Sequence, residues 1–216
     1  MTEDVKPGRR RYDGSLRQEQ ARRTREAILD AAQRCFEGHG YAATTVAAIA
    51  GEAGVSPRTV HLAFDTKAGI VRALWNHRLR RGREEVPVAE QPWYQAMMAA
   101  PDADEQVRLN AVNSRLFKER AGGLLEVLRS AAAVDGDVGA LWERINAEFR
   151  ANQRTLAVSL DEKGALRPGM DVERAADILW TLNHPDVWAL LVGRRGWSPD
   201  AYERWLYDAF RAQLLV

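Results

Sequence analysis

The stretch TVAAIAGEAGVSPRTVHLAF, residues 45–64, carries the local signals of two short helices joined by a tight turn. Gly54 separates its two helical segments, and glycine adopts the left-handed backbone of a tight turn without strain. Ser56 can accept hydrogen bonds from the first free amides of the second helix, and Pro57 at the first helical position costs no hydrogen bond. The pattern predicts two short crossing helices with Val60 turned inward, which is a helix-turn-helix.

The second helix of this motif is only about two turns long, a length that is marginal for an isolated helix. A short helix suits a DNA probe, because its N-terminal end enters the major groove while the first helix crosses the phosphate backbone. Arg58 can form two hydrogen bonds with guanine, and amides and hydroxyls at helix N-termini suit a phosphate. The residues predicted to contact DNA from the motif and the next helix are Thr44, Thr45, Ser56, Pro57, Arg58, Thr59, His61 and Lys67. The alternative is an ordinary helical hairpin in which Ser56 and Pro57 only cap a helix.

Arginines are concentrated in the sequence before the motif. Residues 1–21 are predicted to form a flexible basic arm, followed by a first helix from Arg22 to Glu37 that ends at the sequence GHG. Flexible arginine arms enter minor grooves and add affinity that depends on salt. The arginines predicted to contact DNA here are Arg9, Arg10, Arg11, Arg22 and Arg23. A solvated tail without DNA contacts is the alternative.

The charge of the chain is unevenly distributed. Residues 1–83 hold 16 basic and 9 acidic side chains, and the remainder holds 15 and 21, although the net charge is only +1. A basic first part joined to an acidic remainder indicates an anionic partner for the first part alone. The single Cys35 excludes an intrachain disulfide and fits a reducing cytoplasm, and no apolar run is long enough to span a membrane.

Helical periodicity dominates the sequence, and the chain is predicted to be all-α. A proline-containing connection around Arg83 is predicted to divide a DNA-binding domain, residues 22–83, from a second helical domain, residues 84–216. Thr66 is predicted to cap a helix that runs to the connection, and Pro185 to interrupt or restart another. The helices predicted beyond the connection span residues 91–99, 104–119, 122–134, 137–163, 172–192 and 199–214.

The second domain is rich in aromatic residues, which can line a pocket between helices. The residues predicted to bind a small molecule are Trp93, Phe117, Trp142, Phe149, Trp180 and His184. Plain core packing is the alternative for each aromatic ring. The histidines and acids show no spacing typical of a metal site, and no arrangement typical of catalysis or of a phosphate-binding loop occurs. We therefore predict no catalytic residues, no metal and no cofactor.

Residues 22–82 resemble the DNA-binding domain of the tetracycline-repressor (TetR) family. The matching pieces are ILDAA, Phe36, GY, TTV, IA, AGVS, TV, Phe64 and Lys67, which occur in one order at one spacing. The resemblance implies three N-terminal helices with a linking fourth, followed by a helical ligand-binding and dimerisation domain. It also implies that the last two helices form a four-helix bundle with those of a second chain. These helices carry Trp180, Trp188, Trp205, Leu206 and Phe210.

The chain departs from the family pattern on the DNA-facing helices. His61 stands where the family usually has tyrosine, and it is expected still to donate a hydrogen bond but to reach less far. Leu62 and Ala63 stand where polar side chains often touch DNA, and Ala47 and Ala48 bring no charge to the start of the first helix of the motif. More of the DNA contact is therefore expected to fall on Arg58 and the N-terminal arginines.

The sequence predicts a homodimeric transcriptional regulator, in particular a repressor, that binds a palindromic DNA operator and releases it when a small molecule enters the second domain. The alternative, from another class, is a helical small-molecule carrier or accessory protein that does not bind DNA.

Overall fold

The computed structural model describes residues 9–80 and 87–216. Within these ranges the chain is helical and contains no strand, only one isolated antiparallel bridge between Leu166 and Leu215. The all-α prediction is confirmed. The chain forms two compact units, Met1–Leu74 and Trp75–Val216. The predicted boundary near Arg83 lies outside the described residues. No helix in the described ranges combines the length and the apolarity needed to cross a bilayer.

The first unit consists of one long helix and three shorter ones packed around an apolar core. In chain order they are α1 (Arg9–Ala43), α2 (Val46–Glu52), α3 (Pro57–Phe64) and α4 (Lys67–Arg80), the last of which continues past Leu74 into the second unit. Ile28, Phe36, Ile49 and Val60 are almost fully buried. Burying a side chain of this size stabilises a fold by about 1.5–3 kcal/mol, so the core supports helices that are too short to be stable alone.

Helix α1 begins earlier than the sequence predicts. It starts at Arg9 instead of Arg22, so the predicted arm of residues 1–21 overlaps the helix from Arg9 onward. Its backbone breaks at Gly40, which has a φ of 78°, in agreement with the predicted end at GHG. Cys35 packs in the core, and burial raises the pKa of its thiol, as expected for a structural cysteine.

The second unit is built from six α-helices within the described residues. They are α5 (Pro92–Met98), α6 (Ala103–Ala132), α7 (Gly136–Glu162), α8 (Val172–Leu182), α9 (Pro185–Trp188) and α10 (Pro199–Leu214); a short 3-10 turn, Val88–Glu90, precedes α5, and a π-helical turn, Ala189–Arg194, follows α9. The longest helices are α6 and α7. The core lies between α6, α7, α8 and α10, where Leu156, Leu179, Leu206 and Phe210 are fully buried.

Local capping signals set several helix starts correctly. Ser198 accepts a hydrogen bond from the amide of Ala201 at the start of α10. His184 accepts one from Asp186 at the start of α9, so the chain restarts at Pro185 as predicted. The predicted break between residues 119 and 122 is wrong, because α6 is continuous there. A β-carbon at Gly122 would lie 3.3 Å from the indole nitrogen of Trp188, so this glycine allows a close approach and does not end a helix.

Candidate DNA-binding surface and ligand cavity

Helices α2 and α3 form the helix-turn-helix that the sequence predicts. Thr45 caps α2 by accepting a hydrogen bond from the amide of Ala48 at 3.0 Å. The turn passes through Gly54 at a φ of 68°. Ser56 then caps α3 by accepting from the amide of Thr59 at 3.1 Å. The start of α3 is therefore set by the local cap at Ser56, and the helix is held in place by the burial of Val60.

The outer face of α3 is exposed and carries one permanent charge. Pro57, Arg58, His61 and Leu62 are all exposed. Within the described residues, no hydrogen bond or ion pair engages the Arg58 guanidinium. Leu62 is 78% exposed, so its apolar side chain is accessible on this face. The face therefore presents two groups to a partner: the Arg58 guanidinium, which can donate two parallel hydrogen bonds, and the apolar side chain of Leu62.

His61 differs from the sequence expectation in its hydrogen bonding. Its Nδ1 lies 2.9 Å from the carbonyl oxygen of Asp65. A carbonyl can only accept, so Nδ1 carries the proton and the Nε2 of the neutral ring is an acceptor. The neutral side chain thus presents an acceptor outward, where the sequence suggests a donor.

The side chains of Thr44 and Lys67, at the corner between α1, α2 and α4, form hydrogen bonds within the fold. The buried Thr44 hydroxyl lies within donating distance of the carbonyl oxygens of Cys35 (3.0 Å) and Gly40 (2.8 Å). The predicted phosphate contact of the Thr44 side chain is therefore wrong, because the only hydroxyl hydrogen is already donated to a backbone carbonyl oxygen. Lys67 donates to the carbonyl oxygens of Tyr41 (2.9 Å) and Thr44 (3.1 Å). This leaves one of its three hydrogens for a phosphate, and that contact stays a prediction.

The N-terminal arginines with described side chains are paired along the surface of α1. Arg22 bonds Glu19 at 2.8 Å and Glu26 at 2.7 Å, and Arg23 bonds Glu19 at 2.8 Å. Hydrogen bonds from Arg22 and Arg23 lower the pKa of Glu19 to about 2. Exposed ion pairs add little stability, so a phosphate can replace these carboxylates at small cost. The side chains of Arg9, Arg10 and Arg11 lie outside the described part of the structure.

The second unit contains a cavity of about 140 Å³ between α5, α6 and α7. Three of the six residues predicted to bind a ligand line it, namely Trp93, Phe117 and Phe149, and the ring of Trp75 also lines it. Trp75 and Phe117 meet edge to face, with centroids 6.0 Å apart. This aromatic wall can hold a flat apolar group.

The other three predicted ligand residues lie outside the cavity lining. Trp142 is about one turn before Ile145, the first lining residue of α7. Trp180 packs edge to face against His184 at 4.9 Å between centroids. His184 is held by its capping bond to Asp186, and burial lowers the pKa of its ring. Placing all six at the cavity is therefore corrected: Trp180 and His184 pack against each other, His184 caps α9, and Trp142 is not among the lining residues.

Sequence reasoning missed the polar part of the cavity lining. It includes Asn110, Asn113, Gln153 and the buried Lys118. Lys118 lies on the buried stripe of α6, which comprises Val107, Ala111, Ser114, Lys118, Ala121, Leu125 and Leu128. A lysine that interrupts an apolar stripe at helical spacing is the signal that could have found it.

Comparison with known proteins agrees with this geometry. Residues 28–74 match the family described as "Bacterial regulatory proteins, tetR family". The probable HTH-type transcriptional regulator ArpR of Pseudomonas putida is 26% identical, over 73% of this chain and 75% of its own length.

Solved structures share the fold over both units. NalD of Pseudomonas aeruginosa, the secondary repressor of the MexAB-OprM multidrug efflux pump, superposes with a TM-score of 0.68 at 24% identity, covering 90% of this chain and 98% of NalD. A SmeT–triclosan complex superposes with a TM-score of 0.67 at 20% identity, covering 89% and 92% of the two chains.

A capped helix-turn-helix joined to a helical domain with an internal cavity defines a DNA-binding transcriptional regulator. Residues 28–74 match the TetR family, and the fold over both units is similar to that of the solved repressor NalD.

Proposed function

We propose that this protein is a ligand-responsive repressor, without enzymatic activity, that acts in the cytoplasm as a homodimer on a palindromic operator. The observation that carries the proposal is the exposed outer face of α3, with Arg58 and Leu62 free to reach bases. A repressor role is supported by the likeness to NalD, and a small-molecule ligand by the likeness to the triclosan-bound SmeT.

Helix α4 offers a route from the ligand to the DNA-binding helices. Its first residue, Lys67, is bonded to the carbonyls of Tyr41 and Thr44, next to the start of α2. Further along the same helix, the ring of Trp75 lines the cavity. A ligand that displaces Trp75 would therefore move the helix that holds the corner before α2 and shift the equilibrium away from the DNA-bound state.

Dimerisation through the last two helices remains part of the proposal, with a corrected set of side chains. Leu206 and Phe210 are fully buried in the chain's own core, so these two residues cannot form the partner contact. The opposite faces of α8 and α10 form a shallow groove that suits a second copy. Its lining residues are Arg174, Asp177, Ile178, Thr181, Leu182, Ala209 and Gln213. Two half-sites about 34–36 Å apart require two recognition helices, which one chain does not supply.

Replacing Ala209 by arginine is expected to separate the dimer. The change places two guanidinium groups, one from each chain, in a groove that the partner desolvates, which costs about 3 kcal/mol or roughly a hundredfold in dimer affinity. Sedimentation equilibrium measures the effect, with Ala151→Arg on an exposed face of α7 as the matched control. A fully dimeric Ala209→Arg protein would place the interface elsewhere.

Leu62 is expected to read the methyl group of a thymine. An exposed leucine on the recognition helix can pack on the thymine C5 methyl, which uracil lacks. Replacing that thymine by uracil should weaken binding of the wild type by about 1 kcal/mol, and should leave binding of Leu62→Ala unchanged. A uracil scan of a bound site by fluorescence anisotropy tests this. If uracil substitution lowered the affinity of the wild type and of Leu62→Ala equally at every thymine, Leu62 would not take part in base recognition.

A gel shift with sheared genomic DNA separates the repressor from the rival carrier. The full chain is expected to retain a small subset of fragments in the presence of excess competitor DNA, because base contacts add to the affinity for phosphates. Retention of no fragments would favour the small-molecule carrier, and equal retention of all fragments would contradict sequence-specific binding.

A further inference from the structure

Lys118 is a buried amine on the wall of the cavity without an acidic partner. It is 3% exposed, and no carboxylate lies within ion-pair distance of its Nζ among the described residues. Its four neighbours are neutral oxygens: Ser114 Oγ (3.0 Å), the backbone oxygen of Asn183 (2.7 Å), Asn183 Oδ1 (2.7 Å) and the Tyr202 hydroxyl (2.6 Å). A buried charge is normally paired, so this arrangement lacks a counter-ion.

The amides beside Lys118 add donors to the same cavity. Asn113 lines the cavity, and its Nδ2 is buried without a hydrogen-bond partner in the described structure. Gln153 accepts from Asn110 at 3.1 Å through Oε1, and this leaves its own amide hydrogens available. Buried donors that the protein does not satisfy are normally satisfied by a bound group. The unsatisfied polar groups are thus mainly donors, and they fit an acceptor with negative charge.

The charged and titratable groups around Lys118 come from three elements. Tyr202 reaches it from α10, and His184 precedes α9 beside Asp186. Glu148 of α7 lines the same cavity. Burial holds the pKa of Lys118 well below its usual range and raises that of Tyr202, and the charge of Lys118 contributes to lowering the pKa of His184. An anion bound beside Lys118 favours the protonated forms of both Lys118 and His184.

We infer that the cavity binds a small organic acid whose carboxylate accepts hydrogen bonds from Lys118 and Asn113 while a single aromatic ring packs against Trp93, Phe117 and Phe149. This inference rests on the proposed function, because it names the ligand class of that same site. A volume of about 140 Å³ matches a ligand with one ring, since an apolar cavity of about 150 Å³ holds benzene.

The hydrogen bonds around Lys118 can rearrange to admit the carboxylate. The ammonium group has three hydrogens for four oxygen neighbours, and the hydroxyls of Ser114 and Tyr202 can donate as well as accept. One of these oxygens can give up its hydrogen bond from the ammonium group, and the released ammonium hydrogen is then donated to the ligand carboxylate. Where the apo amine is neutral, binding takes up a proton from the buffer.

Isothermal titration with benzoate and 3-phenylpropanoate, each compared with its amide, tests the inference. The wild type is expected to bind each acid at least about tenfold more tightly than the amide, since a hydrogen bond to a charged group is worth this much. Buffers with different ionisation enthalpies should show net proton uptake on binding of the acids. Both effects should disappear in Lys118→Met and persist in Lys163→Met, which removes an exposed charge.

Asn113→Leu provides a second test in case Lys118→Met does not fold. It removes the unpartnered donor and leaves the charge in place, so the preference for acids should fall about fivefold and proton uptake should remain. Equal binding of acid and amide by the wild type would overturn the inference. An undiminished preference in a folded Lys118→Met, an undiminished preference in Asn113→Leu, or no binding of either acid at about 10 mM would also overturn it.

Measuring DNA affinity with and without each ligand tests the ligand class and the repressor role separately. Release of bound DNA by toluene, a neutral ring of the same size, without an effect of the acids would refute the acid and leave the repressor intact. Binding of the acids without any change in DNA affinity would support the acid and refute the ligand-responsive repressor.

Discussion

Replacing Gly69 by alanine is expected to disrupt the DNA-binding unit. A β-carbon at this position would collide with the carbonyl oxygen of Phe64, the last residue of α3, and would lie 3.3 Å from the carbonyl carbon. The obstacle is backbone and cannot rotate away, and Asp65 next to it is already in the left-handed region with a φ of 62°. We expect a loss of about 3 kcal/mol in the free energy of unfolding, together with loss of DNA binding. Urea denaturation followed by circular dichroism measures the stability.

Gly51→Ala is the matched control for this change. Gly51 lies within α2, and no atom lies within 4 Å of the position of an added β-carbon. Because alanine favours a helix over glycine, this variant should be stabilised by up to about 1 kcal/mol. If Gly69→Ala were as stable as Gly51→Ala, the close approach between α3 and α4 would not be what fixes the end of the recognition helix.

Replacing Arg58 by alanine is expected to cost about 1–3 kcal/mol of affinity for a specific site, or roughly 5- to 150-fold, and to relax the preference at one guanine in each half-site. Arg58 is the only permanently charged side chain between Gly54 and Asp65, and it lies in the first turn of α3. Its side chain is exposed, so the free energy of unfolding should stay within about 0.5 kcal/mol of the wild type. Binding to a set of operators that differ by single base pairs measures both the affinity and the preference.

Arg72→Ala is the control for the loss of charge, because Arg72 is exposed on α4 and belongs to the same unit. It should weaken binding evenly across all operator variants. An even loss for Arg58→Ala as well would make Arg58 a phosphate contact, and no loss would remove it from the interface.

The local parts of the fold could be predicted from the sequence, because their signals lie within a few residues. Ser56 and Ser198 cap the helices that follow them, and Pro185 restarts a helix after His184. Gly122 misled the prediction, since a glycine within a helix can equally serve close packing against a distant tryptophan. The early start of α1 was missed because the arginines before Arg22 suggested an arm, whereas Arg22 and Arg23 pair with Glu19 along a helix.

The cavity depends on contacts between residues far apart in the sequence. Trp93, Phe117 and Phe149 were found because aromatic rings are over-represented in pockets, but the same rule selected Trp142 and Trp180, which lie elsewhere. Lys118 is paired with Asn183 and Tyr202, 65 and 84 positions away, and no local pattern indicates that pairing.

Selection of DNA from a random double-stranded pool by the full chain tests whether the protein recognises a specific inverted repeat, and it works without a defined operator. We expect enrichment of an inverted repeat whose half-site centres lie about one helical turn, or a multiple of it, apart, with a guanine in each half-site that Arg58→Ala no longer selects. Recovery of a pool with no common sequence would contradict it, and the protein would then not be a sequence-specific DNA-binding repressor.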